Sequence, residues 1–430
     1  MKRLLIKDAA IMPMVMENNQ QVLTGDILIE DQYIKEIGEI TENISDAEII
    51  NGKNCAALPG LVNCHTHAAM TLLRGYADDM ELMPWLNEKI WPREAKLTGE
   101  HIYWGTQLAV LEMIKSGTTT FADMYFFMDN VAQAVVESGI RAVLARGMVG
   151  LNDSNLKSLQ ESKDFVLNWQ RAGDGRVTCM LGPHAPYTCP PDYLTKVLEL
   201  ANELKTSIHI HLAETKQEFS DIRKQYGNTP IKHVYELGLF QVPVLAAHCV
   251  HLTEEDISIM QEVKVGVAHN PTSNMKLASG MAPVPQMLEA GIMVGLGTDG
   301  TASNNNLNMF EEMHIASLLH KVSWGDPTMV PAYQVLQMGT INGAHALGLG
   351  NEVGTIEPGK KADIILLDLN QPHLYPNHDL AANLIYSAQG SDVKTVIIDG
   401  KIVMKNWEVI GMDEEKIMYE AARYATQMAE

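Results

Sequence analysis

The sequence predicts an α/β fold: a (β/α)8 barrel of the TIM type joined to a small β-sandwich domain formed by the N- and C-terminal segments. Eight short β-rich runs alternate with longer stretches of helical spacing, the signature of a parallel sheet with crossover helices. At both ends of the chain, apolar runs separated by polar or Gly-containing turns read as antiparallel strands. Histidines and carboxylates recur at the carboxyl ends of the central runs, where barrels build their active sites.

Strands are predicted first at residues 4–6, 25–29 and 33–37. The eight central runs follow at 58–63, 118–123, 142–146, 177–182, 207–211, 244–248, 265–270 and 293–298. Helical spacing lies between them, for example at 99–116, 190–205 and 253–262. The C-terminal strands are expected at 362–368 and 393–399, with 400–403 following a Gly turn, and they pair with the N-terminal ones. This gives a small β domain from residues 1–58 and 359–430, the latter ending in a helix, around a barrel at 59–358.

Composition narrows the function. Hydrophobic residues at 46% and charged residues at 20% are ordinary for a globular chain of 430 residues. A formal charge of −21 without a basic patch argues against nucleic acid and anionic membranes as partners, and for a small-molecule substrate. Five cysteines at irregular spacing indicate neither a disulfide framework nor a zinc ribbon, so reduced cytosol fits best. No run is long enough to span a bilayer, and the charges within Met1-Lys-Arg-Leu-Leu-Ile-Lys-Asp8 give an expectation against secretion and membrane insertion.

His65-Thr66-His67 closes the first barrel run, and residues two apart on a strand point to one side. His211 and Glu214 follow the fifth run, His248 the sixth and Asp299 the eighth. Each has a structural alternative: a strand-end histidine bonded to backbone, a solvated acid, a core histidine, a helix N-cap. Recurrence on one rim decides for a metal site. His65, His67, His211 and Asp299 suit zinc, one ion with a position open for water, although iron, manganese or nickel also accept such donors. Zinc lowers the pKa of bound water to about 7, leaving Glu214 and His248 to manage protons.

The chain resembles the amidohydrolase superfamily, and within it the deaminases of 5'-methylthioadenosine and S-adenosylhomocysteine. The likeness runs through Leu58-Pro-Gly-Leu-Val-Asn-Cys-His-Thr-His67, Gly117-Thr-Thr-Thr120, His209-Ile-His-Leu-Ala-Glu214, Ala247-His248, Asn270-Pro-Thr-Ser-Asn274, Gly297-Thr-Asp-Gly300 and Glu357-Pro-Gly-Lys-Lys-Ala-Asp363. Members with two metals carry a lysine at the end of the fourth strand; Val177-Thr-Cys-Met-Leu-Gly-Pro-His184 has none, so one metal is expected. The resemblance implies hydroxide attack on C6 of adenine, with Glu214 protonating N1, His248 orienting the water and Asp299 relaying a proton to departing ammonia. It also implies a homo-oligomer.

The same resemblance assigns substrate contacts: Glu94 to the ribose hydroxyls, His184 to the nucleoside, Trp85 to the 5'-thio substituent and Arg146 to the carboxylate of a homocysteine tail. A second arginine that the family can use is absent, the stretch 150–159 offering only Lys157, which leaves methylthioadenosine as the substrate better matched. Metal ligands alone do not separate this activity from deamination of adenosine, guanine or cytosine, or from triazine dechlorination. A non-catalytic scaffold would be expected to lack the ligands.

Overall fold

The computed structural model describes residues 2–15, 22–41 and 46–429. Eight parallel strands form the barrel: Leu61–Thr66 (β1), Thr118–Tyr125 (β2), Arg141–Met148 (β3), Val177–Pro183 (β4), Ile208–Leu212 (β5), Val244–His248 (β6), Gly266–His269 (β7) and Met293–Leu296 (β8). They neighbour one another in sequence order. The two ends of the series meet where Asp299 N–H donates to His65 O at 2.9 Å. The Asn63 amide clamps the same seam, donating to Thr298 Oγ1 at 2.7 Å and accepting from Thr298 N–H at 3.0 Å.

The strands are apolar on both sides because helices cover the barrel outside and side chains fill its lumen. In β5 the period of two separates these layers: Ile208, Ile210 and Leu212 join the core with Val197 and Ala201 of helix Pro191–Leu204, while His209 and His211 turn the other way. The helices begin and end where local chemistry dictates. Pro191–Leu204 starts behind Pro190 and stops at Lys205 in a left-handed conformation. Glu254–Glu262 opens on a capping box in which Thr253 Oγ1 accepts from Asp256 N–H and Asp256 returns the bond, an arrangement worth about 1 kcal/mol.

Both chain ends build one nine-stranded sheet. Its path runs Glu408–Val409, Lys401–Lys405, Val393–Ile398, Ile364–Asp368, Cys55–Pro59, Arg3–Ile11, Leu23–Glu30 and Tyr33–Gly38, with Glu48–Asn51 beside Arg3–Ile11. The sheet curls around a core of its own, including Leu4, Ile6, Ile27, Ile29, Ile364, Leu366 and Ile397. Tyr33 accordingly bridges back to Lys361.

One expected boundary moves. Leu58 belongs to this sheet, opposite Ile365, and the first barrel strand starts at Leu61. Gly60 makes the crossing, since a Cβ there would fall 2.0 Å from Thr119 Oγ1. The buried Arg141 guanidinium, at the start of β3, ties barrel to sheet through Asp363 at 2.8 and 3.0 Å. The C-terminal helix Glu414–Ala429 lies on the barrel, where Tyr424 meets the His101 ring of helix Gly99–Lys115 at 4.9 Å.

Candidate active site

The barrel rim gathers His65, His67, His211, His248, Glu214 and Asp299 from four strand ends. Ligand atoms of His65, His67 and His211 lie within 4.8 Å of one another, as do those of His65, His248 and Asp299. Asp299 Oδ1 is 3.4 Å from His65 Nε2 and 3.3 Å from His67 Nε2. His65 Nε2 is buried with no hydrogen-bond partner. A buried nitrogen left unpaired beside a carboxylate and two further imidazoles fits a divalent ion, which would satisfy all of them at once.

The backbone at these positions is unusual. Ala213, His248, Cys249 and Asp299 all have positive φ, at 54°, 73°, 48° and 61°. Non-glycine residues in this region are strained and persist where surrounding bonds hold them. Glu218 supplies such bonds, accepting from Ala213 N–H at 3.0 Å and Glu214 N–H at 2.8 Å, so it aims the Glu214 side chain. Asp299 Oδ2 accepts from Ser273 and Ser303 hydroxyls at 2.7 and 3.0 Å, and Oδ1 from Gly300 N–H at 2.8 Å. Beneath, the buried Glu312 accepts from Asn304 Nδ2 at 2.7 Å and Thr272 N–H at 3.3 Å, bracing the short helix Pro271–Lys276 and the turn that carry those serines. Burial pushes the Glu312 carboxyl up to about 7.

Electrostatics divide the proton-handling groups. Burial raises the pKa of Glu214, against the opposing pull of His248. Burial disfavours a proton on His248, but Glu214 and Asp299 outweigh it and hold the imidazole above its ordinary range. Its Nε2 lies 3.9 Å from Glu214 Oε2, and Nδ1 donates to Asn274 Oδ1 at 2.8 Å. Burial and the neighbouring imidazoles push His65 and His184 down to about 4 and His211 well below its usual value, leaving neutral rings able to bind a cation.

A cavity of about 360 Å³ stands over this cluster, bounded by His67, His211, Glu214, His248 and Asp299 below and by Trp85, Glu94 and His184 at the sides. Glu94 accepts from the Tyr125 hydroxyl at 2.7 Å, and burial raises its pKa. It ends helix Trp91–Glu94, which continues the π-helical turn Trp85–Ile90, a geometry frequent at functional sites. Trp85 is buried there and its indole N–H donates to Ala77 O at 2.9 Å. His184 Nδ1 bonds Thr188 Oγ1 at 2.9 Å, leaving Nε2 for the cavity.

Arg146 is not in this cavity. It lines an adjoining groove of about 670 Å³, which shares Phe126 and Val149 with the cavity. Its guanidinium is already engaged by Glu161 and by Gly147 O. Lys157 is exposed and lies 3.6 Å from the same Glu161.

Sequence reasoning missed the supporting residues: Tyr125, Glu218, Ser273, Asn274, Ser303 and Glu312. Ser273 and Asn274 stand inside a motif that marks the family likeness, and Tyr125 ends a barrel strand. Glu218 and Glu312 sit on helices, where an acid carries no local signal of burial.

Known proteins resemble this chain over most of its length. The Amidohydrolase family matches residues 56–403. A 5-methylthioadenosine/S-adenosylhomocysteine deaminase of Syntrophomonas wolfei is 57% identical over 430 residues, covering 99% of each chain. One of Desulforamulus reducens is 55% identical over 433 residues, covering 100% of each. Among solved structures, an adenosine deaminase from Xanthomonas campestris with bound zinc is similar at a TM-score of 0.94 and 34% identity, over 99% of this chain and 98% of that one. Atrazine chlorohydrolase from Arthrobacter aurescens complexed with zinc follows at 0.91 and 25%, over 98% and 100%. With its barrel, its histidine and aspartate rim and a match over most of its length, the chain belongs to the amidohydrolase family.

Proposed function

We propose that the protein hydrolytically deaminates the adenine ring of 5'-methylthioadenosine and S-adenosylhomocysteine, releasing ammonia and leaving the inosine-type product. The observation that carries it is the convergence of the buried Glu214 carboxyl and the His248 imidazole, 3.9 Å apart, beside a divalent-metal donor set in the lining of one cavity of about 360 Å³. Full-length relatives named for this activity support it.

His65, His67, His211 and Asp299 would hold one ion, with zinc proposed because structural relatives bind it. When bound, such an ion would supply a water acidified to near neutrality. Glu214 would donate to N1 as the C6–O bond forms and recover its proton from the first of the two carried by the attacking water. His248, oriented by Asn274, holds the attacking water in line. Asp299, steadied by Ser273 and Ser303, relays the water's other proton to the leaving amine, so that ammonia departs neutral. Glu94, fixed by Tyr125, accepts from the ribose hydroxyls, His184 faces the nucleoside and Trp85 packs at its 5' side. Because Arg146 is held by Glu161, a tail carboxylate must displace an internal one to reach it, which favours methylthioadenosine over S-adenosylhomocysteine.

Five buried free cysteines support work in a reducing compartment, proposed as the cytosol, and no helix among the described residues is long and apolar enough to cross a membrane. A homo-oligomer is proposed on family likeness. The test is loss of adenine absorbance with zinc-loaded protein and methylthioadenosine, S-adenosylhomocysteine or adenosine, with guanine and cytosine as controls. Fastest turnover of the thio-nucleosides is expected; turnover confined to a control would transfer the assignment to that base.

A further inference from the structure

The three imidazoles of the donor set are oriented by different kinds of partner. His67 and His211 each direct Nδ1 at a backbone carbonyl, Met124 O at 2.6 Å and His184 O at 2.8 Å. A carbonyl only accepts, so both rings carry their proton on Nδ1 and turn an Nε2 lone pair to the centre. His65 differs. Its Nδ1 lies 2.8 Å from Nε2 of His209, a nitrogen that donates or accepts according to its own tautomer. His65 is also the residue common to both groups of converging ligands, so its orientation matters to each.

His209 is fully buried, two residues before His211 and on the same side of β5. For His65 Nε2 to present a lone pair, its Nδ1 must donate and His209 Nε2 must accept. The His209 proton then sits on Nδ1, which is buried and has no partner among the described residues. An apolar residue at this position would remove that unpaired donor but leave the buried Nδ1 of His65 without its acceptor.

We infer that His209 is a positioning residue for metal capture, fixing the tautomer and ring plane of His65 as the two carbonyls do for His67 and His211. This rests on the metal-site assignment above. Its signature is a loss of zinc affinity that an accepting side chain restores and a non-accepting one does not.

The experiment measures zinc affinity by chelator competition, and thermal midpoints of metal-free and zinc-loaded protein, for wild type, His209→Phe and His209→Gln. His209→Phe should weaken zinc binding about 10- to 100-fold. The rise in thermal midpoint on adding zinc should shrink accordingly. In His209→Gln the side-chain oxygen reaches the place of the lost Nε2, accepts from His65 and restores most of the affinity. His209→Leu serves as the non-accepting variant if the phenyl ring does not fit. Unchanged affinity in the non-accepting variants, with wild type binding zinc, would overturn the inference and leave the metal site standing. Lower metal-free stability in step with lower affinity, unrelieved by glutamine, would overturn it too by making His209 a packing residue. Wild-type protein that binds no zinc would bring down the metal-site assignment itself.

Discussion

The floor and the walls of the cavity are built differently. The floor stands on strand ends, and each group is held by at least one bond to a rigid neighbour: His67 to Met124 O, His211 to His184 O, His248 to Asn274, Asp299 to two serines. The walls come from the short helical segment carrying Trp85 and Glu94 and from the groove around Arg146, where one contact fixes each residue and a rival charge already occupies the arginine. On the proposed assignment, reaction geometry is placed on the sheet, and substrate selection on parts that can change without disturbing it.

Substitutions should divide along that line. The largest effect is expected for Glu214→Gln, which keeps the shape and removes the proton: turnover should fall about 10²- to 10⁴-fold. Metal content, measured on the same preparation, should stay at the wild-type level, and near-normal turnover would take Glu214 out of the chemistry. On the wall, Tyr125→Phe releases Glu94 and should raise KM for nucleosides about tenfold with a smaller change in kcat, as expected for one hydrogen bond to a charged group. An equal fall in kcat would place Tyr125 with the floor.

Glu161→Gln should act on selection alone. Freeing Arg146 from this partly exposed pair should raise kcat/KM for S-adenosylhomocysteine relative to methylthioadenosine by a few-fold, within the modest range of such pairs. A constant ratio would show that the groove does not read the tail. The smallest effect should lie beneath the floor. Burial raises the Glu312 carboxyl from the ordinary 4.5 to about 7, so the folded state binds the extra proton between those values. Its contribution is therefore fully present at low pH and lost as pH rises through about 7. In Glu312→Gln the thermal midpoint should vary less between pH 5 and pH 8 than in wild type, and parallel curves would place the titration elsewhere.

The floor was the more legible part in sequence, for a physical reason. A strand end is marked by an apolar run that stops, so His65, His211, His248 and Asp299 announced their place by what preceded them. The helical segment at Trp85 and Glu94 has no such marker, and its residues were reachable only through family likeness. Arg146 shows the limit most plainly: its position at the end of β3 was readable, but its engagement by Glu161 depends on how a later helix packs back. The supporting acids Glu218 and Glu312 were invisible because their burial is tertiary. The first barrel strand was placed three residues early, since apolar character continues through Leu58 while the backbone crosses from one sheet to the other at Gly60.

The strand Cys55–Pro59 pairs with Ile364–Asp368, about 300 residues later in the chain. During synthesis at 5–20 residues per second, the earlier strand waits roughly 15 to 60 s for that partner. Through that interval one hydrogen-bonding edge of a strand rich in buried residues stands open to other chains. Most of the chain must therefore leave the ribosome before this junction can close, and until then the open edge is a standing site for misassociation of the nascent chain.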